Sequence, residues 1–206
     1  MKKGFTLVEI MAVIIILGVI GLIAVVAVDK SIKDNNQKLY EMQISNIEDA
    51  VRTWGATNLK YLPNSADEAL SIPLLLLKKE GLLDKNIKNP KTDTLFPNDM
   101  FIDITYKNGV YNYTALEDSG TDITNDLDVP VIVLQDTFYK EISINGTFDL
   151  KGFAILRDGT TIDLNSGSSY ITIDNHVNVS ITNTFDYNIT VNDGKSFIAK
   201  RKITVK

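Results

Sequence analysis

The chain has 206 residues, 44% of them apolar and 23% charged, and 21 Lys and Arg against 26 Asp and Glu leave a formal net charge of −5. Zero cysteine excludes a disulfide scaffold, a thiolate metal site and a cysteine nucleophile, and the single histidine, His176, excludes every two-histidine metal motif. The acidic balance argues against a general nucleic-acid binder, which carries a basic excess on its contact face, while the apolar fraction suffices for the core of one or two domains.

The chain begins Met1-Lys2-Lys3-Gly4-Phe5-Thr6-Leu7-Val8-Glu9-Ile10, and no charged residue stands between Ile10 and Val28. A helix of roughly 20 apolar residues, rising about 1.5 Å per residue, crosses a hydrocarbon core of about 30 Å. Lys2 and Lys3 precede the run, and Asp29 and Lys30 close it. Positive residues stay on the cytoplasmic side, so the body of the chain is expected outside. A secretory signal peptide is the bland alternative. Its apolar region is shorter, about 7–15 residues, and ends at a small-x-small cleavage site. Ala24-Val25-Val26-Ala27 offers such residues, but nothing there breaks the apolar helix. Glu9 is the anomaly. A carboxylate in an apolar segment costs about 2.5–3.5 kcal/mol at the bilayer centre and somewhat less near the interface. No Lys or Arg lies one helical turn away to neutralise it. A cut after Gly4 would supply a partner, the free amine of Phe5.

Lys3-Gly4-Phe5-Thr6-Leu7-Val8-Glu9, followed by an apolar helix, resembles the class III signal of type IV pilins and pseudopilins. The resemblance implies that a membrane-embedded prepilin peptidase cuts after Gly4 and methylates Phe5. It also implies that Glu9 pairs with the N-terminal amine of a neighbouring subunit and sets its register during assembly. Opposite charges in a low-dielectric seam attract strongly, and one left alone is expensive. Gly18 and Gly21 each cost about 1 kcal/mol relative to Ala inside a helix. They read either as close helix packing in the membrane or, by the resemblance, as points of local melting during assembly. Many major pilins carry a proline a little further along, where this chain has Val25-Val26-Ala27.

Beyond Val28 the helical pattern becomes amphipathic. Tyr40, Ile44, Ile47, Val51 and Trp54 form one apolar stripe at helical spacing. Gly55 and Asn58 are expected to end it. Phe5 to Gly55 then makes one spine of about 75 Å, with Trp54 and Met42 read as packing residues. In the head that follows, Ser65 to Glu68 reads as a helix-start capping box. A short helix is expected after Pro73, stopping at Gly81. Phe101–Tyr106 and Val110–Thr114 alternate around Asn108-Gly109, the favoured hairpin turn dipeptide. Spine, Leu-rich turn and small antiparallel sheet resemble the pilin head.

Glu117 to Asp128 is rich in Asp, Thr, Ser and Asn and reads as a linker. Past it come short strands, expected at Val131–Leu134, Tyr139–Ile144, Phe153–Leu156, Tyr170–Ile173, Val177–Ile181, Tyr187–Val191 and Phe197–Val205, with turns at Asn145-Gly146, Asp158-Gly159 and Asp193-Gly194. This spacing suggests a β-sandwich. Val129-Pro130-Val131-Ile132, the stretch from Tyr187 to Gly194 and the final Lys202-Ile203-Thr204-Val205 resemble small bacterial immunoglobulin-like domains.

Three features invite chemistry and each has a plainer reading. His176 sits in β-rich sequence with no nucleophile elbow. Asp118, Asp122, Asp126 and Asp128 space like calcium ligands but lack the glycine and closing Glu of an EF-hand loop, so a solvated acidic linker is expected. Lys195, Lys200, Arg201, Lys202 and Lys206 form a basic final strand, read as an edge that blocks aggregation and less readily as a DNA-capture face.

The expected fold is therefore α+β and pilin-like, a long N-terminal spine and a small antiparallel sheet, followed by an all-β immunoglobulin-like sandwich. The expected divisions are a leader at 1–4, a transmembrane and assembly helix at 5–28, a pilin-like helix and head at 29–126, and the sandwich at 127–206. The functional expectation is a non-enzymatic filament subunit, a minor pilin or pseudopilin, serving adhesion, motility, DNA uptake or secretion. It needs no cofactor and no metal. Its expected partners are other pilin subunits, the prepilin peptidase, a membrane assembly platform and the inner or cytoplasmic membrane. The chain is expected to span the membrane once and then move to an extracellular filament. The alternative is a single-span anchor that displays an adhesive domain without polymerising; a surface hydrolase is disfavoured by the residue inventory.

Overall fold

The computed structural model describes Gly4 and residues 6–206, with the side chains of 23–27 outside that set. The spine is one helix, α1 (Leu7–Thr57), of 51 residues. It runs two residues past Gly55 because Asn58 supplies the end: its backbone N–H donates to Gly55 O at 3.1 Å and its Nδ2 to Trp54 O at 2.9 Å. Tyr40, Ile47, Val51 and Trp54 are buried along the stripe, and Ile44 is half-buried. Met42 is 63% exposed, which corrects its reading as a packing residue. Two residues past Tyr40 is more than half a turn around a helix, so Met42 points away from the stripe.

A 3-10 turn at Leu59–Tyr61 brings Tyr61 back over Trp54, with ring centroids 6.4 Å apart. Ser65 to Glu68 starts no helix. The Glu68 carboxylate accepts from Asn64 N–H at 2.9 Å, closing a turn that leads into β1 (Ala69–Pro73). Pairing of Ala69–Pro73 with a later strand overrides the local helix signal. The expected short helix follows as α2 (Leu74–Lys79), and Gly81, at φ 71°, turns the chain out of it. A two-residue ribbon, β2 (Lys88–Asn89) with β3 (Thr94–Leu95), precedes the hairpin β4 (Phe101–Lys107) and β5 (Val110–Ala115). Asn108 and Gly109 both have positive φ, 53° and 81°, as the two central residues of a type I′ turn must.

The remaining strands are β6 (Val131–Leu134), β7 (Lys140–Ile142), β8 (Gly152–Ile155), β9 (Thr161–Asp163), β10 (Ile171–Asn175), β11 (Asn183–Asn192) and β12 (Ser196–Val205). Val177–Ile181, expected as a strand, lies outside every strand, and β1 and β9 were not expected. One sheet runs β5-β4-β1-β6-β8-β9, the other β10-β11-β12-β7. All pairings are antiparallel except β7 with β12.

The six-stranded sheet is a middle layer. Leu70, Ser71, Ile72, Phe101 to Ile104 and all of β6 are buried, so both faces are covered. Tyr61 against Phe153, at 4.8 Å, marks the face toward α1, and Phe101 against Phe197, at 6.4 Å, marks the face toward the second sheet. Strand alternation carries Ile102 and Ile104 to the first face and Ser71 and Asp103 to the second.

Residues on both sides of position 126 build this layer. Ser71 of β1 pairs with Leu134 of β6, and one buried cluster runs from Tyr40 to Ile203. The boundary expected at 126/127 therefore falls inside one sheet. An unpaired β1 edge would leave a row of N–H and C=O groups open, and β6 fills it. The segment read as a linker is also pinned. Asp99 accepts from the N–H groups of Thr121 and Asp122 at 2.7 and 2.6 Å, and Ser119 Oγ accepts from Phe101 N–H at 2.7 Å.

A polar knot lies between the sheets. Arg201, 1% exposed, donates through Nε to Phe138 O at 3.0 Å and through Nη2 to Thr137 O at 2.5 Å, with Asp136 Oδ2 at 3.6 Å. Ser71 Oγ lies 2.5 Å from Asp103 Oδ1 and 2.6 Å from the Asp136 carbonyl. Phe138 N–H donates to Asp103 at 3.1 Å.

Candidate functional site

Thr6 has extended backbone, φ −79° and ψ 151°, and stands at the N-cap of α1. Its Oγ1 accepts from Glu9 N–H at 3.3 Å, while Glu9 Oε2 accepts from Thr6 N–H at 2.8 Å and from Thr6 Oγ1 at 2.9 Å. Both arms of a capping box are present. In the sequence Glu9 stands out by its charge and by the resemblance, while Thr6 is given no role there; the Thr-x-x-Glu spacing is the signal for it. The arrangement holds the carboxylate at the positive end of a long helix. Gly4 is exposed two residues before the cap. Phe5 and the leader residues 1–3 lie outside the described residues.

Among the described residues the first part of α1 meets no partner. Every large apolar residue described from Leu7 to Leu22 is substantially exposed, from 49% at Ile10 to 75% at Leu7. Among the described residues the first buried one of the helix is Tyr40, so a stem of roughly 50 Å, at about 1.5 Å per residue, precedes it. Burying each such Leu, Ile or Val is worth about 1.5–3 kcal/mol, which makes this stem a surface for lipid or for other helices. At Gly18 and Gly21 an added Cβ would meet nothing within 4 Å, so no contact inside the chain calls for glycine there. Among the described residues no helix is long and apolar enough to cross a membrane; the run read from the sequence, Ile10 to Val28, passes through 23–27.

The other candidates are not brought into a site. His176 is exposed at the end of β10, with Nδ1 3.3 Å from Asp174 Oδ1. Asp126 and Asp128 face cations: Lys195 Nζ lies 2.8 Å from Asp126, and Arg157 Nη1 3.5 Å from Asp128. Among the described residues no group of three His, Asp or Glu side chains is placed to hold a metal ion. The basic final strand splits between its two faces. Arg201 is buried, Lys195 and Lys206 pair with Asp126 and Glu141, and Lys202 stands opposite Asp186. Because β12 lies between β11 and β7, its reading as an edge strand is corrected. A groove of about 450 Å³ between residues 60–69 and 135–151 is lined by both signs of charge, including Lys60, Lys140, Asp67 and Asp149.

Residues 1–25 match the family model described as the prokaryotic N-terminal methylation motif. No curated protein and no solved structure matches the chain. The match supports a type IV pilin-like class III signal. It suggests a structural rather than a catalytic protein, one that enters the membrane, meets a prepilin peptidase and assembles with other pilin-like subunits at the surface. Over its first 25 residues, then, this chain carries the methylation motif of type IV pilin-like proteins.

Proposed function

We propose that the chain is a structural subunit of a type IV pilin-like filament, a minor pilin or pseudopilin. It is cut after Gly4, methylated at Phe5 and assembled through α1 by a membrane platform. The observation that carries this reading is the exposed apolar stem with an acid fixed at its N-terminal turn, inside the matched motif. Cleavage after Gly4 creates a cation one residue before the N-cap. A neighbour's Glu9 can then exchange its bonds to the uncharged donors of Thr6 for one to an ammonium, in which both partners carry charge. Burial of the stem drives association, and the ion pair selects the register, since a subunit out of register leaves a buried charge unpaired.

Glu9→Ala separates this reading from a single-span anchor. Glu9 is exposed and lies 31 residues before Tyr40, so the substitution leaves the folded body intact. The expected result is a processed, membrane-held subunit missing from filaments sheared off the cells and detected by immunoblot. Equal amounts of wild-type and Glu9→Ala subunit in the sheared fraction would contradict the filament reading.

A further inference from the structure

The buried face of α2 carries a cation. Lys78 is 3% exposed and follows four buried leucines, Leu74 to Leu77. Its Nζ lies 3.0 Å from Phe96 O and 2.9 Å from Asn98 Oδ1. Asn98 is fully buried and fixed on every side. Its N–H donates to Asp122 O at 2.6 Å, its carbonyl accepts from Leu75 N–H at 2.9 Å, and Nδ2 donates to Thr124 O at 3.0 Å and Asp126 O at 3.3 Å. An amine and a carboxamide are thus held in contact, away from water, by backbone that neither can leave.

Burial pushes the Lys78 amine down to about 8, against the opposing pull of Asp122. A lysine in that range is partly neutral at physiological pH, and a neutral amine is a nucleophile. Well-oriented intramolecular nucleophiles reach an effective molarity of about 10⁵–10⁸ M, and Nζ is already held 2.9 Å from the oxygen of the carboxamide it would attack. An apolar side chain at position 78 would fill the same place without the cost of burying a charge.

We propose that Lys78 and Asn98 join through an intramolecular isopeptide bond, formed after the chain has folded. Lys78 Nζ reacts in its neutral form, after releasing one proton. The free pair attacks Asn98 Cγ, the Nζ–Cγ bond forms and the carbonyl electrons move to Oδ1. One Nζ proton passes to Nδ2, the Cγ–Nδ2 bond breaks, the carbonyl re-forms and ammonia leaves, taking up in solvent the proton the amine had released. No oxidant or reductant takes part. The bond fastens α2 covalently to the chain just before β4, and its chemistry is independent of the N-terminal assembly site.

The test is a tryptic digest of the full chain, purified folded in detergent and mapped by mass spectrometry. An acylated Lys78 blocks cleavage at that position. The expected product is residues 61–79 joined to residues 92–107, lighter than the sum of the two peptides by one ammonia and missing from Lys78→Met. Cleavage after Lys78 in the wild-type digest, with residues 92–107 at their own mass, would overturn the proposal. The wild-type map decides the matter whether or not the variant folds.

Discussion

Asp103 sits 9% exposed between the two sheets, and its burial pushes its carboxyl up from 3.8 to about 6, against hydrogen bonds from Ser71 and Phe138 and the charge of Arg201. The hydrogen bonds agree with that direction. Ser71 has one proton and two close acceptors, Asp103 Oδ1 and the Asp136 carbonyl. A protonated Asp103 can donate to Ser71 Oγ, leaving the Ser71 proton for Asp136. The folded state therefore holds this proton more tightly than the unfolded state. Stability from this group is fully present below pH 3.8 and is lost as pH rises through 6. The two values differ by 2.2 units, worth about 3 kcal/mol at about 1.36 kcal/mol per unit. Asp103→Asn imitates the protonated acid, because its amide nitrogen donates to Ser71 while its oxygen accepts from Phe138 N–H. Urea unfolding of the full chain in detergent, followed by Trp54 fluorescence, measures the difference. Near pH 3.5 the two proteins should agree within about 1 kcal/mol, and at pH 7 the variant should be more stable by about 3 kcal/mol. A gap that does not change with pH would refute the reasoning. So would a wild-type protein that gains on the variant as pH rises, the behaviour of a carboxylate governed by Arg201.

Two further substitutions probe the packing. Trp54→Ala empties the place where α1 meets Tyr61 and should cost about 3–5 kcal/mol in the same unfolding experiment, read by circular dichroism. Trp54→Phe should cost much less, because it also removes a buried indole N–H that has no hydrogen-bond partner. Gly152→Ala drives a Cβ into the Val133 carbonyl oxygen at φ 151°, so it should destabilise by more than about 1 kcal/mol, whereas Gly159→Ala, with open space around it, should show backbone strain alone.

Local pattern was enough for α1, α2 and the β4–β5 hairpin, because stripe spacing, Pro73 before a leucine run and Asn108-Gly109 each act within a few residues. It failed where partners are far apart in the chain. Ala69-Leu70-Ser71-Ile72-Pro73 shows no alternation, because both its faces are buried and its polar residue meets Asp103, 32 positions away. Without β1 in view, nothing linked the head to β6, and the Asp-rich stretch around Asp122 passed for a linker when its backbone is held by Asp99. Arg201 belongs with these, since the carbonyls of Thr137 and Phe138 that hold it between outward-facing Lys200 and Lys202 lie 64 and 63 positions away. At the N-terminus the charge of Glu9 stands out in the sequence, while the role of Thr6 needs the cap geometry.

The most direct test of the filament account is the mass of the mature N-terminal peptide, taken from surface-sheared material. The account predicts a chain that begins at an N-methylated Phe5. A chain still carrying Met1 to Gly4, or one cut near Ala27, would contradict it.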